Sequence, residues 1–244
     1  APSKAEIYPE YLPAEADVAG RPARRSNYQH FVEFLRRDGV NLVDAHELFL
    51  RWKAEPGTPR LFADGGTHWN EYGASRVVEE IVRRLRELTG KDLPAVKIAG
   101  AVVDRTIVGE DNDLGELANL WSGRQLAGPQ VHPVVETEAG SYLPDVLFVG
   151  DSFGTTLTGF MDRHRLYRRR DTFHYYGRRF SYPVETDRPL DKAQLDLLAE
   201  LRGRDAVVIE VAEYWLPRVG FGFVRDALNA YDALDAAPGA AAAR

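Results

Sequence analysis

A three-layer α/β/α domain, with helices on both faces of a mainly parallel sheet, is the fold this sequence predicts. Three observations predict it. Val146–Val149 is a continuous apolar run and Ala206–Val211 is apolar but for Glu210, the kind of strand a parallel sheet buries on both faces. Strand-like and helical segments alternate along the chain, as they do in β–α–β units. Glu71–Leu88 carries Ala74, Val77, Val78, Ile81, Val82, Leu85 and Leu88 at the three- and four-residue spacing of a helix with one apolar face.

Taken in order, the opening Ile7–Pro13 is Pro-punctuated and aromatic and reads as an extended segment or loop. Asn27–Arg37 repeats apolar residues with helical period and stops at Gly39. Val40–Val43 reads as a short strand, Ala45–Lys53 as a helix and Pro56–Pro59 as a loop. The Glu71–Leu88 helix follows a Gly-rich stretch, with Thr67 or Asn70 as its cap and Gly90 as its stop. Lys97–Val108 alternates as a strand or hairpin, Asp113–Leu120 reads as a short helix, and Gly123–Gly140 reads as a loop. After the Val146–Val149 strand come a helix to about His164, a strand over Asp171–Tyr176 and an amphipathic helix over Asp191–Leu201. The Ala206–Val211 strand and a helix over Val224–Leu234 complete the pattern. The 244 residues thus read as a single domain, 1–236, followed by an Ala-rich tail, 237–244.

Composition narrows the function. A net charge of −6 argues against a general nucleic-acid binder, which needs a basic surface. The absence of cysteine removes disulfides, thiolate metal sites and a cysteine nucleophile. No apolar run approaches the ~18 residues of a membrane span, and no signal peptide or metal-ligand cluster is visible. No cofactor is expected. The chain opens at Ala1 without an initiator Met and reads as a mature or trimmed form.

The chemistry concentrates at two places. Gly150-Asp151-Ser152-Phe153-Gly154 joins a buried strand to a helix, and in parallel sheets sites form outside the carboxyl ends of strands. Ser152 is there either a nucleophile or a helix cap. The backbone N–H groups of Ser152 and Gly154 are the candidate oxyanion donors. A serine nucleophile needs a base, and there are six histidines. His30 and His46 fall in helices, and His132, His164 and His174 carry no supporting motif. His68, in Gly66-Thr67-His68-Trp69-Asn70, falls at a loop-to-helix junction. Trp69, Trp121, Trp215 and the tyrosines offer faces for sugar rings or for packing. Arg168 and Arg170, in a run of arginines, offer bidentate contacts to an anionic polymer or simply end a solvated strand.

Gly150-Asp151-Ser152-Phe153, together with Thr67-His68-Trp69-Asn70, resembles the AlgJ/AlgX-type polysaccharide (alginate) O-acetyltransferases, relatives of the SGNH hydrolases. The motif order is permuted relative to the usual SGNH enzymes, with the His motif before the Ser motif. Pro2-Ser3-Lys4 through Pro9, Trp69–Ala74, Asp113–Ala118 and Glu210–Glu213 resemble further family segments. The resemblance implies an SGNH-like fold and an extracytoplasmic location, periplasmic or at the cell surface. It implies an acetyl-enzyme on Ser152, with His68 as base and an exopolysaccharide hydroxyl as acceptor. The acetyl donor would be a membrane-bound acyltransferase, with other exopolysaccharide-assembly proteins as possible partners. A carbohydrate esterase with the same dyad and a non-catalytic glycan-binding relative are the alternatives.

One departure bears on the mechanism. The family reads Asp-Thr-His-Trp, and its Asp orients the His; here Gly66 holds that position. Asp64 is the nearest replacement, with Glu210, Glu213 and Asp44 as further candidates. The resemblance begins just after a family strand, so a strand upstream of Ala1 is expected.

Overall fold

The computed structural model describes residues 1–14, 25–119 and 127–236. Trp121 and the Ala-rich tail at 237–244 lie outside the described residues. In chain order the elements are α1 (Lys4–Ile7), α2 (Asn27–Arg37), α3 (Ala45–Ala54), α4 (Glu71–Thr89), β1 (Ala95–Asp104), α5 (Asp113–Leu117) and β2 (Gln130–Glu138). There follow β3 (Asp145–Gly150), α6 (Phe153–Arg163), β4 (Arg169–His174), β5 (Arg178–Tyr182), β6 (Thr186–Pro189), α7 (Leu197–Arg202), β7 (Ala206–Ile209) and α8 (Phe223–Asp235).

Five strands form one sheet in the order β6-β5-β4-β3-β7. β3 pairs in parallel with both β4 and β7. β5 and β6 extend the sheet antiparallel, so it is mixed, parallel at its centre and antiparallel along one side. β3 is buried at every residue. Its side chains alternate between two cores, as the two-residue period of a strand requires. Val146 and Phe148 pack with Val78 of α4 and with Leu157 and Phe160 of α6. Leu147 and Val149 pack on the opposite face with Phe173, Leu197 of α7 and Phe223 of α8. These two cores are the physical content of the three layers.

The structure departs from the sequence reading at several elements. Val40–Val43 is not a strand; its backbone bonds are local, with Val40 N donating to the Leu35 carbonyl and the Val43 carbonyl accepting from Ala45 N. The loop expected over Gly123–Gly140 contains β2, which pairs antiparallel with β1 as a separate two-stranded sheet against α4. Pro133 argued for a loop, but opposite Ala101 it sits in a strand with a free edge, where a missing N–H is tolerated. The helix expected over Asp191–Leu201 begins at Leu197, because the Asp196 carboxylate caps it by accepting from Ala199 N. The opening segment contains α1 and a 3₁₀ turn at Pro9–Tyr11 rather than extended chain. The outer edge of β7 pairs with no further strand among the described residues. It borders an apolar groove of ≈ 240 Å³ lined by Leu42, Val43, Ile81, Leu85, Val207 and Ile209.

Candidate active site

The turn between β3 and α6 is organised by Asp151, whose carboxylate is buried. It accepts from Phe153 N at 3.0 Å and from Ala212 N at 2.8 Å. Beside it, burial and then the Asp151 charge push Glu210 up to about 8. Gly150 is required where it stands: a Cβ there would come within 2.9 Å of Glu210 Oε2 and 3.1 Å of its carbonyl oxygen. The turn therefore presents Ser152 at the carboxyl end of β3, where the strand order reverses and α/β sheets place their ligands.

His68 reaches the same point from the start of α4. Asn70 N donates to the Leu61 carbonyl, and Asn70 Oδ1 accepts from Gly73 N to cap the helix. Trp69 is buried, and its indole N–H donates to the Phe153 carbonyl at 3.1 Å. This contact ties the His segment to the first residue of α6. Lys4 Nζ, from the Pro-Ser-Lys segment, donates to the carbonyls of Ala63, Asp64 and Gly66 and clamps the Gly-rich loop.

Ser152 Oγ lies 2.8 Å from His68 Nε2, and His68 Nδ1 lies 2.7 Å from Asp113 Oδ2. Asp113 is held in turn by Thr67, whose backbone N donates to Oδ1 at 2.8 Å and whose hydroxyl donates to Oδ2. A carboxylate on Nδ1 fixes the proton there and leaves Nε2 as the acceptor for the serine proton. Glu110 Oε2 is also 3.3 Å from Nδ1; burial raises this carboxyl, with the His68 charge opposing. The arrangement is a hydrogen-bonded hydroxyl–imidazole–carboxylate line, the geometry that activates a serine for acyl transfer.

The carboxylate on the imidazole is therefore not Asp64. Asp64 pairs with Arg60 on the far side of the loop. Nor is it one of the other candidates: Glu210 lies against Asp151, Glu213 pairs with His46, and Asp44 caps α3. Gly66 accounts for the substitution. A Cβ at this position would meet the carbonyl oxygens of Glu110 and Asp111 at 3.0 and 3.1 Å. With glycine here, the 110–113 loop packs directly on the Gly-rich turn, locked by Leu114 N donating to the Gly65 carbonyl. That packing delivers Asp113 to His68 from 45 residues away. From sequence, Asp113 opens a short helix and a segment that resembles the family; no local spacing identifies it as the acid.

The remaining candidates divide. Gly154 N donates to the Asp151 carbonyl, so one of the two N–H groups considered for an oxyanion is already engaged within the turn. Trp69 is fully packed and offers no sugar face. Arg168 forms a bidentate pair with Asp145, and Arg170 is buried against Asp162. Both lie near the amino end of β4, whereas Ser152 follows Gly150, which pairs with the last β4 residue, His174. A full strand length thus separates these arginines from the serine. The aromatic surface near Ser152 comes from elsewhere. Tyr214, 56% exposed, and Tyr11, 59% exposed, border a cleft of ≈ 580 Å³ that also touches Thr67 and Phe153. Among the described residues no metal-binding cluster occurs and no helix is long and apolar enough to cross a membrane.

The family model described as the SGNH hydrolase-like domain of acetyltransferase AlgX matches residues 1–171. No curated protein matches the chain by sequence. The O-acetyltransferase domain of Pseudomonas putida AlgJ superposes with a TM-score of 0.52 at 19% identity, over 89% of this chain and 74% of that one. Pseudomonas aeruginosa AlgX aligns with a TM-score of 0.47 at 17% identity, over 90% of this chain and 53% of that one. At 19% identity the likeness to the AlgJ domain is one of fold.

Proposed function

The chain belongs to the SGNH hydrolase-like family of acetyltransferase AlgX, and from that premise we propose that it is a serine-dependent O-acetyltransferase. Ser152 attacks an acetyl donor while its proton passes to His68 Nε2, and Asp113 holds the imidazole and balances its charge. The tetrahedral adduct collapses, His68 gives the proton to the leaving group, and acetyl-Ser152 remains. An acceptor hydroxyl then loses its proton to His68 and attacks the acetyl carbon, and the adduct expels Ser152 Oγ, which takes the proton back from His68. The acceptor is a hydroxyl of an extracytoplasmic polysaccharide, seated against Tyr214 and Tyr11, and the donor is a membrane-bound acyltransferase. The observation that carries this reading is the Ser152–His68–Asp113 hydrogen-bonded line. Asp113 supplies the carboxylate that is missing at Gly66, which supports the enzyme readings over that of a non-catalytic glycan-binding relative.

The test is to incubate the protein with p-nitrophenyl acetate, with and without soluble oligosaccharides, and to read intact mass and product. The expected result is one acetyl group on Ser152, absent in Ser152→Ala, and acetylated sugar when acceptor is present. Release of acetate alone, undiminished by any oligosaccharide, identifies a carbohydrate esterase instead. Equal turnover by the Ser152→Ala variant overturns both enzyme readings.

A further inference from the structure

Besides His68, a second hydroxyl meets the serine. Tyr175 Oη lies 3.3 Å from Ser152 Oγ. We propose that Tyr175 is a catalytic residue of this site, donating a hydrogen bond to Ser152 Oγ and stabilising the negative charge that gathers there as the proton leaves. The inference rests on the acyl-transfer reading and adds a group to its machinery.

The direction of the bond follows from the line already described. Asp113 accepts from Nδ1–H, so Nε2 is the acceptor and the one proton of Ser152 is directed to it. The serine oxygen keeps its lone pairs, and Tyr175 supplies the donor. The chain of donation thus runs one way, from Tyr175 to Ser152 to His68 to Asp113. A separation of 3.3 Å is long for a hydroxyl pair. It is the kind of contact that shortens when the acceptor gains charge in the transition state.

The backbone is built to hold this hydroxyl in place. Tyr175 and Tyr176 are the central residues of the turn joining β4 to β5, closed by Gly177 N donating to the His174 carbonyl. Both have φ of +48°. That pair of left-handed residues is the hairpin turn for which Asn and Gly are strongly preferred, because a bulky side chain crowds its own backbone there. Tyr176 is explained by burial in the second core. Tyr175 is not, since it remains 39% exposed. Its amide donates to the Gly150 carbonyl at 2.7 Å, which hooks the turn onto the strand that carries the nucleophile. Its ring is wedged edge-on against Trp215 and Phe221. A strained residue held from three sides, with its polar end on the reacting atom, is the pattern by which backbone strain marks function.

In the step, the Ser152 O–H bond breaks and its proton goes to His68. The Oγ–acyl carbon bond forms, and the carbonyl electron pair moves to its oxygen. Tyr175 keeps its proton throughout and only donates. When acetyl-Ser152 breaks down, Oγ departs with the same donor in place, so both half-reactions depend on it.

Tyr175→Phe keeps the ring and its packing and removes only the hydroxyl. The experiment measures the rate at which a fluorophosphonate probe labels the wild type, Ser152→Ala and Tyr175→Phe, followed by intact mass. In labelling, Ser152 Oγ bonds to phosphorus, fluoride leaves and the serine proton passes to His68, so no natural substrate is needed. The expected result is a labelled wild type, an unlabelled Ser152→Ala, and a Tyr175→Phe whose maximal rate constant falls about 10- to 100-fold with the half-saturating probe concentration unchanged. Its melting temperature stays at that of the wild type. Labelling of Tyr175→Phe within twofold of the wild type overturns the role of Tyr175 while leaving Ser152 as the nucleophile. A wild type that labels no faster than Ser152→Ala overturns the acyl-enzyme reading, and Tyr175 with it.

Discussion

At the scale of single residues, the site turns on which carboxylate orients His68. Asp113 touches Nδ1 at 2.7 Å and is braced by two donors from Thr67. Asp64, two residues before the family's acid position at Gly66, faces Arg60. Asp113→Asn is therefore expected to lower kcat by roughly 10³- to 10⁴-fold, because an amide cannot hold the imidazole tautomer or balance its charge. Asp64→Asn is expected to leave kcat within about twofold, since it removes only a surface pair. Restoring the family residue by Gly66→Asp in the Asp113→Asn background is expected not to recover activity. The new Cβ would press on the carbonyls of Glu110 and Asp111, and that loop must move for it to fit. Steady-state kinetics on an acetyl ester for the three variants checks all of this.

At the scale of elements, α4 is the support of the histidine. Its apolar face, Ala74, Val77, Val78, Ile81 and Val82, is buried in the first core, and its two ends are capped differently. Asn70 caps the amino end and also donates to the Arg60 carbonyl at 2.8 Å. Gly90 ends the helix with φ of +64°, a conformation that strains any residue with a Cβ. Asn70→Ala and Gly90→Ala are each expected to cost about 1 kcal/mol of stability in urea unfolding. Their effects on catalysis should differ. Asn70 adjoins Trp69 and His68, so its loss loosens the base and lowers kcat, whereas Gly90 lies five helical turns away and its replacement leaves kcat unchanged.

At the scale of the whole molecule, two buried carboxyls, Asp171 and Asp111, carry opposite electrostatic risks. Asp171, buried on β4, joins Arg179, Ser181 and Arg204. Burial by itself would push this carboxyl up, but those three partners hold it well below the usual carboxylate range. Asp171→Ala removes one of the two anions that Arg179 and Arg204 share, leaving them Glu200, and is expected to cost less than the ~3–5 kcal/mol of a buried charge left with no partner. Asp111 behaves in the reverse way, pushed by burial and then by the charge of Glu71 from 3.8 up to about 7. A depressed carboxylate contributes stability above its unfolded value and loses it as pH falls, so Asp171 weakens the fold from about pH 4 downward. A raised one contributes below its unfolded value and loses it as pH rises, so Asp111 weakens the fold between pH 3.8 and about 7. Asp111→Asn is expected to reduce the decline in unfolding free energy between pH 5 and 8, as read by urea titration at both values, leaving the share that belongs to Glu210, raised to about 8.

What the sequence by itself determined was whatever short-range pattern encodes. The buried Val146–Val149 run, the turn that exposes Ser152 and the helix that begins just after His68 all follow from periodicity, glycine placement and capping within a few neighbouring residues. Strand β2 escaped because Pro129 and Pro133 read as breaks; Pro129 precedes the strand, and only the edge position excuses Pro133 within it. Tertiary structure alone decided that Asp113 and not Asp64 meets the imidazole, and that Tyr175 reaches Ser152. It also decided that Arg168 and Arg170 lie at the wrong end of the sheet. Each of these depends on how loops and strand ends distant in sequence pack against one another, and the energy that selects the packing is spread over both cores rather than written in any local motif.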